Sequence, residues 1–243
     1  MNQKRHNAIA ALVMMILLAS CSKSEAFGTR LPGSSDSGSN EGSQTTTPPP
    51  SSSTKYAALA WESASKPERK QWSNYVHQIV NEEYQLLNRA SDMTFFCPRY
   101  NSLSKEQRVN AIGQLIAAIA YYESGWSPVS RMQETTMGTD PVTGKPVYSE
   151  GLLQLSYQDI QWAPFCEFSW SKDKSLVATD PRKSILDPYK NLKCGIKILA
   201  NQVDRKGSYI LKTGVYWAVL KSGGKYETID EIATIVKRLS FCK

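Results

Sequence analysis

Ala120-Tyr121-Tyr122-Glu123-Ser124-Gly125-Trp126-Ser127-Pro128 is the stretch that decides the fold, because an apolar helix runs into it and ends in a carboxylate. Upstream, Ser104-Lys105-Glu106-Gln107 has the form of a capping box, whose Ser hydroxyl and Gln side chain satisfy amides left open at a helix start. A helix is therefore predicted from about Lys105. Val109, Ile112, Leu115, Ile116 and Ile119 recur three and four residues apart, and Glu123 continues the same series. The acid thus falls on the buried face. Loss of water around a carboxylate disfavours its charged form and raises its pKa toward the range of a proton donor. Gly125 supplies a helix stop, and Pro128 keeps the helix from resuming.

Three further segments follow in order. They are Gly151-Leu152-Leu153-Gln154-Leu155-Ser156, then Asp187-Pro188-Tyr189-Lys190-Asn191-Leu192-Lys193-Cys194-Gly195, then Val215-Tyr216-Trp217-Ala218-Val219-Leu220. With Glu123-Ser124 at their head, these segments resemble the soluble lytic transglycosylase and goose-type lysozyme family. The resemblance spans roughly Lys105 to Leu220. It implies a mostly α, lysozyme-like catalytic domain, here with a helical N-terminal extension, that acts as a peptidoglycan glycosidase. It also implies that Glu123 is the general acid/base, that Ser124 orients the acid or contacts the sugar, and that Gln154 lines the cleft. Tyr216 aligns with a family Tyr whose hydroxyl steadies the catalytic carboxylate, although Trp217 and Val219 stand where the family usually has Asn and Gly.

The chain begins with an address. Lys4 and Arg5 form a basic region, Ile9 to Leu18 an apolar run too short to span a bilayer, and Leu18-Ala19-Ser20-Cys21 looks like a bacterial lipobox. Residues 1–20 read as a lipoprotein signal peptide and Cys21 as the lipidated first residue of an exported protein. Ser22 after the Cys favours the outer membrane, facing the periplasm of a Gram-negative cell. Residues 21–56 hold the lipidation site and a Ser/Thr/Pro/Gly linker, too poor in apolar side chains to offset ordering entropy. As a coil of about 35 residues it would span about 30–35 Å. Residues 57–243 are long enough for one catalytic domain with a sizeable core.

Of the five cysteines, Cys97, Cys166, Cys194 and Cys242 remain after Cys21. In an exported domain this even number suggests two disulfides in one of three connectivities, with Cys166–Cys194 and Cys97–Cys242 favoured. No close Cys pair stands beside His77, the one His beyond the signal, so neither a metal nor another cofactor is expected. The same lone His, set on a polar flank of its helix, argues against Ser-His-Asp and Cys-His chemistry. The formal charge of +7 loses two when Lys4 and Arg5 leave. The remaining excess suits an anionic envelope polymer, and an exported protein has no call for nucleic acid. The expected partners are peptidoglycan strands and, through the lipid, a membrane; the domain itself is expected to be a monomer.

The rest of the pattern is helical. Ser65-Lys66-Pro67-Glu68 announces a helix to about Asn88 with Glu83 on its apolar side, paired with a buried Arg or Lys. Asp187 and Pro188 open a helix that ends near Gly207, another is predicted from about Tyr209 to Lys221, and a last one follows Thr228. Between Ser127 and Glu150 the turn signals Gly138 to Pro146 predict a loop or short hairpin at the rim of the cleft. Its acids Glu134, Asp140 and Glu150 are candidates for a second catalytic carboxylate or for substrate preference, since an acidic loop would attract a glycan with free amines. An inverting hydrolase needs such a second acid about 6.5–9.5 Å from the first, whereas a lytic transglycosylase does not. The alternatives are therefore hydrolysis rather than transglycosylation, or a glycan-binding lipoprotein that no longer cleaves.

Overall fold

The structure is a computed structural model and describes residues 55–212 and 214–243. The signal peptide, Cys21 and the linker lie outside the described residues. From Glu68, the chain forms α1 (Glu68–Glu82), α2 (Tyr84–Leu87), α3 (Met93–Phe96) and α4 (Lys105–Ser124), then a hairpin of β1 (Arg131–Gln133) and β2 (Tyr148–Glu150). The short α5 (Trp170–Asp173), the long α6 (Pro188–Arg205) and α7 (Ile229–Val236) complete it. Helices predominate, as in a lysozyme-like domain.

The long α4 is the axis. Ser104 accepts from the Gln107 amide while the Gln107 side chain accepts from the Ser104 amide, completing the capping box. At the other end Gly125 takes φ 60° and ψ 27°, a left-handed conformation that costs a residue without a Cβ nothing. Every residue from Val109 to Ala120 is buried, so α4 is enclosed on all sides rather than along one stripe. α1 and α7 pack on it, and α6 lies against α1 and α2. Enclosure requires the inward polar side chains to be satisfied. Asn110 Oδ1 accepts from the Ala57 amide at 2.7 Å, and Gln114 accepts from Ala60 at 2.9 Å and donates to Ile235 at 3.2 Å. These bonds hold residues 57–60 over the helix.

That segment also buries His77, contrary to the polar flank predicted for it. Tyr56 stacks on the imidazole at 4.1 Å between centroids, and the ring is only 3% exposed. Burial pushes its pKa down to about 4.

The first predicted helix breaks at Glu83 (φ −92°, ψ 10°) into α1 and α2. The Glu83 carboxylate accepts from Lys197 of α6 at 2.6 Å, so this inward acid is a structural ion pair. A second difference is larger. Among the described residues of 209–221 no α-helix forms; a loop leads instead to a single 3-10 turn at Ala218–Leu220. Side chains take the place of helical bonding there: Gln202 donates to the Ile210 carbonyl and accepts from the Tyr216 amide, while Asp92 accepts from the Ile210 and Leu211 amides. Disulfides Cys97–Cys242 and Cys166–Cys194 close the domain.

Candidate active site

The C-terminus of α4, the hairpin and the loop before Ala218 enclose a cleft of about 610 Å³, lined among others by Tyr122, Glu123, Glu134, Gln154, Asp159 and Tyr216. Glu123 enters from the last turn of α4. Its Oε1 is buried and has no hydrogen-bond partner among the described residues. Desolvation first, and the Glu134 charge second, raise the pKa of this carboxyl to about 7 against the Val219 backbone amide, which acts in the opposite sense. An acid poised at neutral pH, with one oxygen uncommitted, can both give and take a proton.

Glu134 is the first residue after β1 and is held by the hairpin. Its amide donates to the Val147 carbonyl at 2.9 Å, and the Ser149 hydroxyl donates to its carboxylate at 2.5 Å. Strand alternation sets the rest: Met132, Glu134, Val147 and Ser149 line the cleft, whereas Arg131, Tyr148 and Glu150 line a separate pocket on the other face.

This alternation corrects two expectations. Asp140 and Glu150 are each 2% exposed and do not face the cleft. Asp140 is the knot of its own turn, accepting from the amides of Val142, Thr143 and Gln158 and from the Ser156 hydroxyl. Glu150 is paired with Lys183 at 2.5 Å and with Arg131 at 3.4 Å. A carboxylate sealed in such partners cannot activate water in the cleft. The loop therefore does not present three acids to the cleft; Glu134 alone of them lines it.

Tyr216 also departs from the role implied by resemblance. Its hydroxyl donates to Asp159 Oδ2 at 2.6 Å rather than to Glu123, because the segment carrying it runs as a loop and brings the ring against the 3-10 turn Tyr157–Gln161. Asp159 accepts in addition from the Ser156 amide at 2.8 Å. Burial raises the Asp159 pKa, and the Tyr216 and Ser156 bonds pull it back. Sequence reasoning missed this third cleft carboxylate. Its only signal was the Ser156-x-x-Asp159 spacing of a capping box, which the structure contains.

Ser124 and Gln154 serve the scaffold. The Ser124 hydroxyl lies 2.9 Å from the Ala120 carbonyl and 2.8 Å from that of Leu152, where it fastens the end of α4 to the following turn. Gln154 borders the cleft at φ 48°, and its amide donates to the Gly151 carbonyl at 2.8 Å. Gly151 itself has φ 82°, and a Cβ there would sit 2.3 Å from Asn191 Nδ2. Asn191 uses that close approach to bond Glu150, Leu153 and Ile185 backbone groups. The Gly-Leu-Leu-Gln turn and the Asn of α6 are thus one device that fixes the cleft floor.

A helical domain whose enclosed central helix delivers a buried acid to a cleft is the architecture of a lysozyme-like glycosidase. The family model of the transglycosylase SLT domain matches residues 101–222, and the chain belongs to that family of peptidoglycan glycosidases. Among solved structures, "Bd0314 DslA wild-type form 2" is similar with a TM-score of 0.61 and 28% identity, over 79% of this chain and 100% of that one. Two glutamate-to-glutamine mutants of Bd0314 DslA match with TM-scores of 0.58 and 0.56 and identities of 29% and 28%, each over 73% of this chain and 93% of that one. Their substituted glutamates are eleven positions apart. No curated protein matches the sequence significantly.

Proposed function

We propose that the domain cleaves the β-1,4 bond between N-acetylmuramic acid and N-acetylglucosamine, or an edited form of that glycan, with Glu123 as general acid and Glu134 as the second carboxylate. The observation that carries this reading is the state of Glu123: buried, protonated up to about pH 7, and with Oε1 unpartnered inside the cleft. A protonated carboxyl of this kind gives its proton to the glycosidic oxygen as the ring gains oxocarbenium character. Glu134 lines the same cleft, close enough for its charge to act on Glu123. There it can accept a proton from an attacking water. Support also comes from spacing, since Glu123 and Glu134 stand eleven positions apart, as do the two glutamates substituted in Bd0314 DslA. Hydrolysis is the outcome that two such acids serve. A second reading, lytic transglycosylation, draws on the same free Oε1, because after giving its proton Glu123 could take one from the sugar's own hydroxyl and leave an anhydro end.

Product masses from purified peptidoglycan separate the two. Reducing ends that depend on both acids mean hydrolysis; products lighter by one water, formed without Glu134, mean transglycosylation. No cleavage by the intact chain, or cleavage undiminished in Glu123→Gln, would sink the assignment of Glu123. We further propose that Cys21 is lipidated and that residues 21–56 tether the domain, as a monomer, to the outer membrane on its periplasmic side. Palmitate labelling that persists in Cys21→Ala would count against this.

A further inference from the structure

The face of the hairpin turned away from the cleft lines a second pocket, of about 130 Å³, with Arg131, Lys145, Lys174 and Lys183 against two carboxylates, Asp140 and Glu150. Asp140 is spent on its four donors, and Asp173 beneath the pocket is likewise spent on Tyr157 and on the amide and hydroxyl of Ser184. Glu150 Oε2 is left to serve two cations, Lys183 Nζ at 2.5 Å and Arg131 Nε at 3.4 Å. The shorter contact belongs to Lys183, whose side chain is only 4% exposed. Arg131 is therefore the less closely held of the two cations. Its guanidinium lies over the Tyr148 ring, three-quarters covered. Its Nε is buried without a hydrogen-bond partner, and among the described residues the side chain donates to nothing. Lys145 lies over Trp170 at 5.1 Å at the same pocket.

A planar, largely covered guanidinium whose terminal nitrogens donate to nothing among the described residues, backed by lysines in a space of this size, suits a small anion that its fork can meet with two oxygens, such as a carboxylate. We propose that this pocket binds a free carboxylate of the short peptide carried by the glycan whose backbone occupies the cleft. This rests on the reading of the cleft as a peptidoglycan site. The pocket and cleft are opposite faces of one two-stranded ribbon, about 10 Å through at the spacing of packed sheets, and an extended arm of about four residues spans about 13 Å. Glu134 faces the glycan and Arg131, three residues earlier, faces the peptide. The hairpin so becomes a gauge that recognises glycan still bearing its peptides.

The test has a binding arm and a turnover arm, both on the full chain. In the first, Glu123→Gln protein is titrated calorimetrically with an N-acetylated alanyl-alanine dipeptide, with its carboxamide and with inorganic phosphate. The acid is expected to bind, the carboxamide at least about tenfold more weakly because it brings no charge to the cations, and phosphate more weakly than the acid because it lacks the rest of the dipeptide. Arg131→Gln should abolish binding. In case that change disturbs the hairpin, the exposed pair Lys145→Glu with Lys174→Glu should weaken acid binding about tenfold by charge reversal alone. Equal binding of acid and carboxamide, or binding indifferent to both sets of variants, overturns the site. Phosphate binding as tightly as the dipeptide overturns the peptide assignment in favour of a general anion site. In the second arm, wild type should cleave peptide-bearing strands with a lower KM than strands stripped by an amidase, and Lys145→Glu/Lys174→Glu should lose that preference while cleaving stripped strands at the wild-type rate. Absence of cleavage throughout would refute the cleft reading, whereas retained cleavage with no preference would refute the pocket.

Discussion

Replacing Glu123 with Gln should stabilise the protein at alkaline pH and do so by an amount the structure sets. The carboxyl has a pKa of about 7 in the fold against an ordinary 4.5, so between those values the folded protein holds a proton that the unfolded chain has released. Stability falls with pH wherever the native state binds more protons. The favourable contribution is complete below pH 4.5 and gone above about 7. At about 1.4 kcal/mol per pH unit the interval corresponds to about 3 kcal/mol. The wild type alone would hide this. His77, held down to about 4 from 6.5 by burial, gains stability as pH rises across nearly the same interval, and the two slopes oppose each other. The informative quantity is the difference between Glu123→Gln and wild type, in which His77 cancels along with any fixed cost of seating the amide. Urea unfolding with disulfides intact, at pH 4.5 and pH 8, should show that difference moving in the variant's favour by about 3 kcal/mol. Glu134→Gln removes the second-ranked cause of the raised pKa; it should shrink the effect without abolishing it and move the alkaline limb of any residual activity downward. A pH-independent difference between Glu123→Gln and wild type would refute the claim that the fold keeps this acid protonated.

Lys183→Met should cost about 3–5 kcal/mol, because it strips Glu150 of its closest partner inside a sealed site, and activity should fall with it as the hairpin carrying Glu134 loosens; equilibrium denaturation and turnover read both. Tyr216→Phe removes the 2.6 Å bond to buried Asp159 and should cost about 1.5–3 kcal/mol, as expected for a hydrogen bond to a charged group, with kcat falling more than KM rises; a variant as stable as wild type would deny Tyr216 this anchoring role. Cys97 and Cys242 are 145 residues apart and Cys166 and Cys194 only 28. By loop entropy, removing the first pair to Ala should cost about 5 kcal/mol and the second about 3.5, an order that denaturation of the two double variants would check.

What was legible in the sequence was whatever local chemistry fixes. The capping box at Ser104, the stop at Gly125 and the Asp187 cap, which accepts from the Tyr189 and Lys190 amides, are devices closed within a few residues, and each survives in the structure. The failures share one cause. The first helix, expected to run to Asn88, breaks at Glu83, whose carboxylate is held by Lys197 on α6. The segment from Tyr209 has helical periodicity, yet Gln202 and Asp92, distant in sequence or on another helix, captured its backbone groups. His77 looked exposed on its own helix until residues 55–61 were laid across it. In each case the outcome involves residues distant in the sequence, which a local rule does not see.

The cleft shows the same limit in its sharpest form. Glu134, Asp140 and Glu150 were indistinguishable as loop acids, because strand parity has meaning only once the hairpin register is known. With Arg131 opposite Glu150 and Met132 opposite Ser149, parity sends Glu134 to the cleft and Glu150 to the far pocket. A one-residue slip of β2 against β1 would flip the faces of β2 alone. It would turn the Glu150 carboxylate toward Glu123 while Glu134 stayed in the cleft. The Glu150–Lys183 pair opposes that slip: moving this acid into the cleft would strand a buried ammonium, which costs several kcal/mol. An ion pair that takes no part in the chemistry therefore keeps the Glu150 carboxylate from facing Glu123.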